Sequence, residues 1–168
     1  MREIKLAFLT LCTLFLAMAV IKHPIMLPAI DLYCRGLALV VFYVVNTVTH
    51  SFTINGITIL HESTSLGVMV DRSCSALDLS TAVGCLMYFF VNSTVIQRLK
   101  YALMTSIFIQ GANVLRVMIL LISEVYINAS FDFVHEVLFP FVLPVVAIFA
   151  FSSIKARARA TEVIREEQ

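Results

Sequence analysis

The fold turns on Val70-Asp71-Arg72-Ser73-Cys74-Ser75-Ala76-Leu77-Asp78, where an extended, polar segment gives way to an apolar run. Ser75 followed three residues later by Asp78, just ahead of that run, has the form of a capping box. The pattern predicts a helix from Ser75 to Val91 with Cys74 at its start. Unpaired backbone N–H groups at a helix start favour negative charge, and with it the thiolate form of a cysteine.

Upstream, residues 51–73 read as a small β element. Thr53-Ile54-Asn55-Gly56-Ile57-Thr58-Ile59 sets Asn-Gly between two β-branched runs, a strong short-range hairpin signal. Gly67 then precedes Val68-Met69-Val70, a third short strand leading into Cys74. Open sheet edges are not tolerated in lipid, so this element is expected outside the bilayer. Glu62 and Asp71 read as solvated rim charges. No internal repeat or low-complexity tract is visible.

The surroundings are apolar. Of 168 residues, 60% are hydrophobic and 14% charged, which excludes an ordinary soluble domain. The net charge of +1 and the lack of a basic helix face before the last dozen residues argue against a nucleic-acid partner. The four cysteines form no CxxC and no zinc spacing, and neither a metal nor an organic cofactor is expected. Cys12 and Cys85, inside apolar runs, read as small hydrophobes.

Downstream and upstream runs define candidate spans. Ile4–Ile21 is the first, with Arg2 and Lys5 at its flank. Ala17-Met18-Ala19 resembles a signal-peptidase site, though the topology weighs against cleavage. Gly36–Val48 is short and spans only if its helix starts near Ala29 with Arg35 snorkelling. Ser75–Val91, Tyr101–Val125 and Phe133–Ser152 follow, with a polar loop at 92–100, and Pro140 and Pro144 are expected to kink the last helix. The expected fold is an all-α polytopic membrane protein of about five transmembrane helices. One integral membrane domain covers 1–154, including the β element, and a cytoplasmic tail covers 155–168.

Placing 22–35, 92–100 and the tail in the cytoplasm gathers eight of the twelve Lys and Arg residues there. Cys74 and His135 then face outward. Five spans demand an external N-terminus, which Arg2 and Lys5 resist. With four spans, 36–48 is re-entrant and the N-terminus stays inside.

Arg116 lies within an apolar run, where a charge costs a few kcal/mol and demands a partner or a wet cavity. Ser106, Gln110, Asn113, Arg116 and Glu124 fall within about 120° of one another on a helical wheel. His135 opens the last helix on the same side as Cys74. Together, Cys74, His135 and Arg116 offer a nucleophile, an acid–base group and an anion stabiliser at comparable depth. Asp78, Thr81 and Cys85 share one face below Cys74. Asp78 can pair with Arg116, orient His135 or simply cap its helix, and Arg116 can equally be one half of a structural ion pair. His23, His50 and His61 read as surface groups, and Asn128-Ala129-Ser130 matches a glycosylation sequon.

Cys74-Ser75-Ala76-Leu77 at a helix start, Asn113-Val114-Leu115-Arg116 in a later helix and Val134-His135-Glu136 opening the next resemble the exosortase/archaeosortase family. The resemblance covers roughly residues 55–150 and is that of a short member containing the catalytic core. The family commonly carries glycine two residues after the cysteine, where this chain has Ala76. It also commonly carries a glycine shortly after the histidine, absent from Val137-Leu138-Phe139-Pro140. The resemblance implies a cysteine transpeptidase of a prokaryotic cytoplasmic membrane with its active site on the extracytoplasmic side. Its substrates are exported proteins bearing a C-terminal sorting signal made of a short motif, a transmembrane helix and a basic cluster. Cys74 would attack near the motif and form a thioester, to be passed to an amine or lipid acceptor. Arg116 would stabilise the oxyanion or position the thiolate, and His135 would protonate the leaving amine and later deprotonate an incoming one. Asn113, Ser75 and Asp78 would support the trio.

Three other readings compete. One is a hydrolytic membrane cysteine protease, and another a non-catalytic assembly or transport subunit with Arg116 and Asp78 as a structural pair. A thiol–disulfide oxidoreductase is disfavoured because Cys34, within 22–35, would lie on the cytoplasmic side.

Overall fold

In the computed structural model, residues 2–91, 93–127 and 139–166 are described, with side chains for 9–91, 93–126 and 141–157. Among the described residues the protein is mostly helical, 79%, with one small three-stranded sheet. Five helices follow in chain order, α1 (Arg2–Lys22), α2 (Leu27–Thr49), α3 (Leu77–Phe90), α4 (Val95–Ile122) and α5 (Phe139–Glu166). Strands β1 (Phe52–Asn55), β2 (Thr58–His61) and β3 (Gly67–Met69) lie between α2 and α3, and a 3₁₀ turn, Arg72–Cys74, leads on to α3. Among the described residues, three helical stretches are long and apolar enough to cross a membrane: Pro24–Thr49, Arg72–Phe90 and Val95–Tyr126.

Several boundaries differ from the expectation. α2 begins at Leu27, close to the start near Ala29 that a span requires, and Pro28 in its first turn costs no helical hydrogen bond. Asp31 and Arg35 therefore lie inside a helix rather than in a polar interruption. α4 begins at Val95, so Arg98 and Lys100 belong to its first turns and not to a loop. α5 runs on to Glu166, so most of the expected tail is helical. Pro144 lies within α5, and the start expected at Phe133 lies outside the described residues.

The chain divides into two compact units. The first comprises residues 1–23, 77–110 and 144–168, and so holds α1, α3, the first half of α4 and most of α5. Within it α1 packs on α3. Val83, Ile109 and Ala147 form one buried cluster, and Met87 and Val91 form another against Tyr101, Phe151 and Ile154. Gly84 permits the close approach of α3 to α4, since a Cβ there would stand 2.9 Å from Ser106 Oγ. Ser106 Oγ donates to the Ser80 carbonyl at 3.2 Å, and Gln110 Nε2 to Ser80 Oγ at 3.0 Å. The polar stripe of α4 thus begins as interhelical glue, which suits helices packed in lipid.

The second unit comprises residues 24–76 and 111–143. Its sheet has the order β1-β2-β3, antiparallel throughout. The hairpin connection is Gly56-Ile57 rather than Asn55-Gly56, because Asn55 pairs with Thr58. Gly56 takes φ 65, the left-handed value glycine supplies without steric cost. α2 ends with His50 in the left-handed conformation, its N–H returning to the Asn46 carbonyl. Asn46 then holds the first strand by a two-way amide contact, Nδ2 to the Phe52 carbonyl at 2.9 Å and Phe52 N–H to Oδ1 at 3.1 Å. The buried face of the sheet, Phe52, Ile59, Val68 and Val70, joins Val41 and Val45 of α2 and Val117, Leu120 and Leu121 of α4 in one core that includes Cys74. The hairpin is a packed layer of this unit, not a free projection.

Candidate functional site

The local fold around Cys74 is built by Asp71. Its Oδ1 accepts from the Ser73 N–H at 2.9 Å, the Ser73 hydroxyl at 2.6 Å and the Cys74 N–H at 3.2 Å. Those bonds cap the 3₁₀ turn that carries the thiol. Burial raises the Asp71 pKa, but hydrogen bonds from the Ser73 hydroxyl and the Cys74 and Ser73 amides outweigh it and hold the carboxyl below its ordinary value. Asp71 is a structural keystone of the turn rather than a rim charge. An Asp two and three residues before polar N–H groups is a readable signal for such a turn.

The expected capping box does not form. Ser75 Oγ donates backwards to the Arg72 carbonyl at 2.7 Å, closing the 3₁₀ turn, and α3 starts at Leu77. The Cys74 N–H is already engaged by Asp71, through the carbonyl at 3.1 Å as well as Oδ1. Cys74 therefore lies in the 3₁₀ turn ahead of the apolar helix rather than at its start, and the helical face it was expected to share with Asp78, Thr81 and Cys85 does not include it. The break between turn and helix is Ala76, held at φ 49. An L-residue pays about 1–2 kcal/mol for that conformation, so the position favours glycine.

Cys74 and Ser75 are buried, and so are Asn113 and Arg116 of α4. Asn113 Nδ2 donates to the Cys74 carbonyl at 2.7 Å, which ties the turn to α4 across 39 residues of sequence. Its Oδ1 accepts from Arg116 Nη1 at 3.4 Å. One amide thus fixes the backbone of Cys74 on one side and turns the guanidinium on the other. The Arg116 cation and the Cys74 sulfur lie within electrostatic reach of each other, with Asp71 contributing to the same field. The thiol itself stands 3.9 Å from the Met69 carbonyl and 3.9 Å from Ser73 Oγ.

Of the residues singled out in the sequence, the fold brings together Cys74, Ser75, Asn113 and Arg116, all in the second unit. Asp78 is exposed in the first turn of α3, where an acid complements the helix dipole, and belongs to the first unit. His135 lies outside the described residues. His61 is more than a surface group, since its ring packs edge-on against Phe52 and Tyr126 at 5.2 and 5.6 Å. Cys34 is buried on α2, which packs on the 3₁₀ turn, and Cys74, Asp71 and Arg72 all contribute to the field at its thiol. That removes the separation between Cys34 and Cys74 expected from the loop charges. Among the described residues, no cluster of His, Cys, Asp and Glu is arranged to hold a metal ion.

A buried thiol beside a guanidinium, with its backbone held by a buried amide, can deliver a sulfur nucleophile and stabilise an oxyanion in one place. Comparison with known proteins finds no matching family model, no matching curated protein and no matching solved structure.

Proposed function

We propose that this protein is a membrane-embedded cysteine transpeptidase or endopeptidase, similar to exosortases, that cleaves the C-terminal sorting signal of exported proteins. The observation that carries the reading is the Cys74–Asn113–Arg116 constellation, since Asn113 binds both the backbone of the nucleophile and the guanidinium. In this mechanism the Cys74 thiol gives its proton to His135 and the sulfur attacks the scissile carbonyl carbon, forming an S–C bond and an oxyanion that faces Arg116. Collapse breaks the C–N bond, the amine leaves with a proton supplied by His135, and a thioester remains on Cys74. An amine or lipid acceptor, or water, then takes the acyl group and returns the sulfur to the thiol state.

The membrane arrangement we propose has four spans, α1, α3, α4 and α5, rather than five. With these spans alternating in direction, the N-terminus, the 91–94 connection and the end of α5 share the cytoplasmic face. That gathers Arg2, Lys5, Arg98, Lys100 and the four basic residues from Lys155 onward, again eight of the twelve, and removes the conflict at the N-terminus. Arg116 lies 16 residues after Lys100, about 24 Å of helix rise against a hydrocarbon layer of about 30 Å. The guanidinium then sits in the outer part of the layer, where a charge costs less than at the midplane. The cytoplasmic membrane of a prokaryote fits this placement.

Cys74→Ala and Arg116→Ala should each abolish release of a substrate's C-terminal helix, in cells where both variants still insert. His135→Ala should impair it as well. Normal processing by Cys74→Ala would remove the enzyme reading. A second reading, thiol–disulfide exchange between Cys74 and Cys34, is favoured by the packing of α2 on the Cys74 turn. Cys34→Ser separates the two, because it leaves peptide processing intact and abolishes dithiol chemistry.

A further inference from the structure

The strand that leads into Cys74 has one side paired and, among the described residues, one side open. Val70 N–H donates to the Ile57 carbonyl and His61 N–H to the Leu66 carbonyl, both at 2.8 Å, and Ile59 pairs with Val68 between them. Antiparallel pairs alternate between hydrogen-bonded and non-bonded. Leu66, Val68 and Val70 therefore spend their backbone groups on β2, and those of Gly67 and Met69 point the other way. β2 obeys the same alternation on its far side, where Glu62 N–H donates to the Ser51 carbonyl at 3.0 Å. Met69, at the open edge, is 56% exposed.

That edge ends at the nucleophile. The outward carbonyl of Met69 accepts the Asp71 N–H at 3.1 Å and stands 3.9 Å from Cys74 Sγ. Edge backbone groups and reactive sulfur are thus fixed to each other by the same turn. Gly67 holds β3 in place for this purpose, since a Cβ there would lie 2.1 Å from the Ile59 carbonyl oxygen. Such a clash would push β3 off β2.

We propose that the open edge of β3 binds the extended peptide carrying the scissile bond as an added antiparallel or parallel strand, with the Met69 N–H as its principal donor. The occupant is a peptide backbone because the edge offers outward N–H and C=O groups at strand spacing, and only an extended chain matches both. Recognition by main-chain bonds puts the scissile carbonyl at Cys74 in a set register, while side-chain preference arises elsewhere. Pairing also satisfies an edge that would be costly near lipid. The inference rests on the transpeptidase reading for the identity of its ligand, but its geometry belongs to the edge alone.

The test uses the purified full-length protein in detergent, with acetyl-trialanine chloromethyl ketone as probe. Its fully N-methylated counterpart and chloroacetone serve as comparisons, and alkylation of Cys74 is followed by mass spectrometry. The unmethylated peptide should react about tenfold faster than the N-methylated one, as expected for loss of one or two net hydrogen bonds. Met69→Pro removes the outward N–H at an edge position, where proline is tolerated. It should erase that preference, read as the ratio of the two peptide rates within the same variant, whereas Met69→Ala should keep it. Equal rates for the two peptide reagents in the wild-type protein would overturn the proposal, whether or not Met69→Pro folds. Failure of the transpeptidase reading is distinct, because it shows as normal substrate processing by Cys74→Ala.

Discussion

Ala76 and Asp71 determine how the Cys74 turn is held, and each carries its own prediction. Ala76→Gly relieves a left-handed alanine and should stabilise the protein by about 1 kcal/mol, read as a rise in the thermal midpoint in detergent. An unchanged or lower midpoint would show that the strain is not there to relieve. Asp71 has a folded-state pKa below its unfolded one. Its contribution is therefore complete above the unfolded carboxylate value, about 3.9, and is lost as pH falls through the lower folded value. Asp71→Ala should cost about 1 kcal/mol at neutral pH, as for loss of a cap. The gap between variant and wild type should narrow as the pH is taken below the ordinary carboxylate value, in unfolding curves of the two proteins. Cys74, Asn113 and Arg116 were legible as residues because their types and order stand out in apolar sequence. The bond from Asn113 to the Cys74 carbonyl was not, since it joins positions far apart in the chain. The Ser75–Asp78 pattern misled because a capping box needs its serine at the helix start, and left-handed Ala76 intervenes.

Helices and strands were legible wherever hydrophobic run length or turn chemistry decided them. The third strand and the hairpin followed from β-branched runs and glycine, whereas the start of α4 did not. Arg98 and Lys100 read as loop residues by polarity, yet charged side chains are compatible with the first turns of a helix that ends at a membrane boundary. The two close-approach glycines test the packing of the elements. Gly67→Ala should detach β3 from β2 and lower stability by roughly 2 kcal/mol or more, with loss of Cys74 reactivity toward peptide reagents. At Gly84 the neighbouring atom is the hydroxyl of Ser106, the end of a short side chain. Gly84→Ala in a Ser106→Ala background should therefore be tolerated better than Gly84→Ala alone. If the two changes are simply additive in a double-mutant cycle, α3 and α4 do not meet through that contact.

The chain as an assembly poses the question of topology. Composition pointed to a membrane protein, and among the described residues three helical stretches are long and apolar enough to cross a membrane. The number of spans turns on α2, which is apolar enough to cross and also packs on the sheet. Hydropathy records how a helix face tolerates lipid, not which neighbours it packs against. A green fluorescent protein fused to the N-terminus should fluoresce, since it folds in the cytoplasm under the four-span arrangement. A dark N-terminal fusion beside a fluorescent C-terminal one would restore the five-span arrangement. The most direct measurement is mass spectrometry of exported proteins that carry a C-terminal transmembrane helix, in cells with wild-type protein and with Cys74→Ala. The proposed chemistry predicts new C-termini just before that helix in wild-type cells alone, and the uncleaved helix retained in the variant. Identical C-termini in both would contradict it.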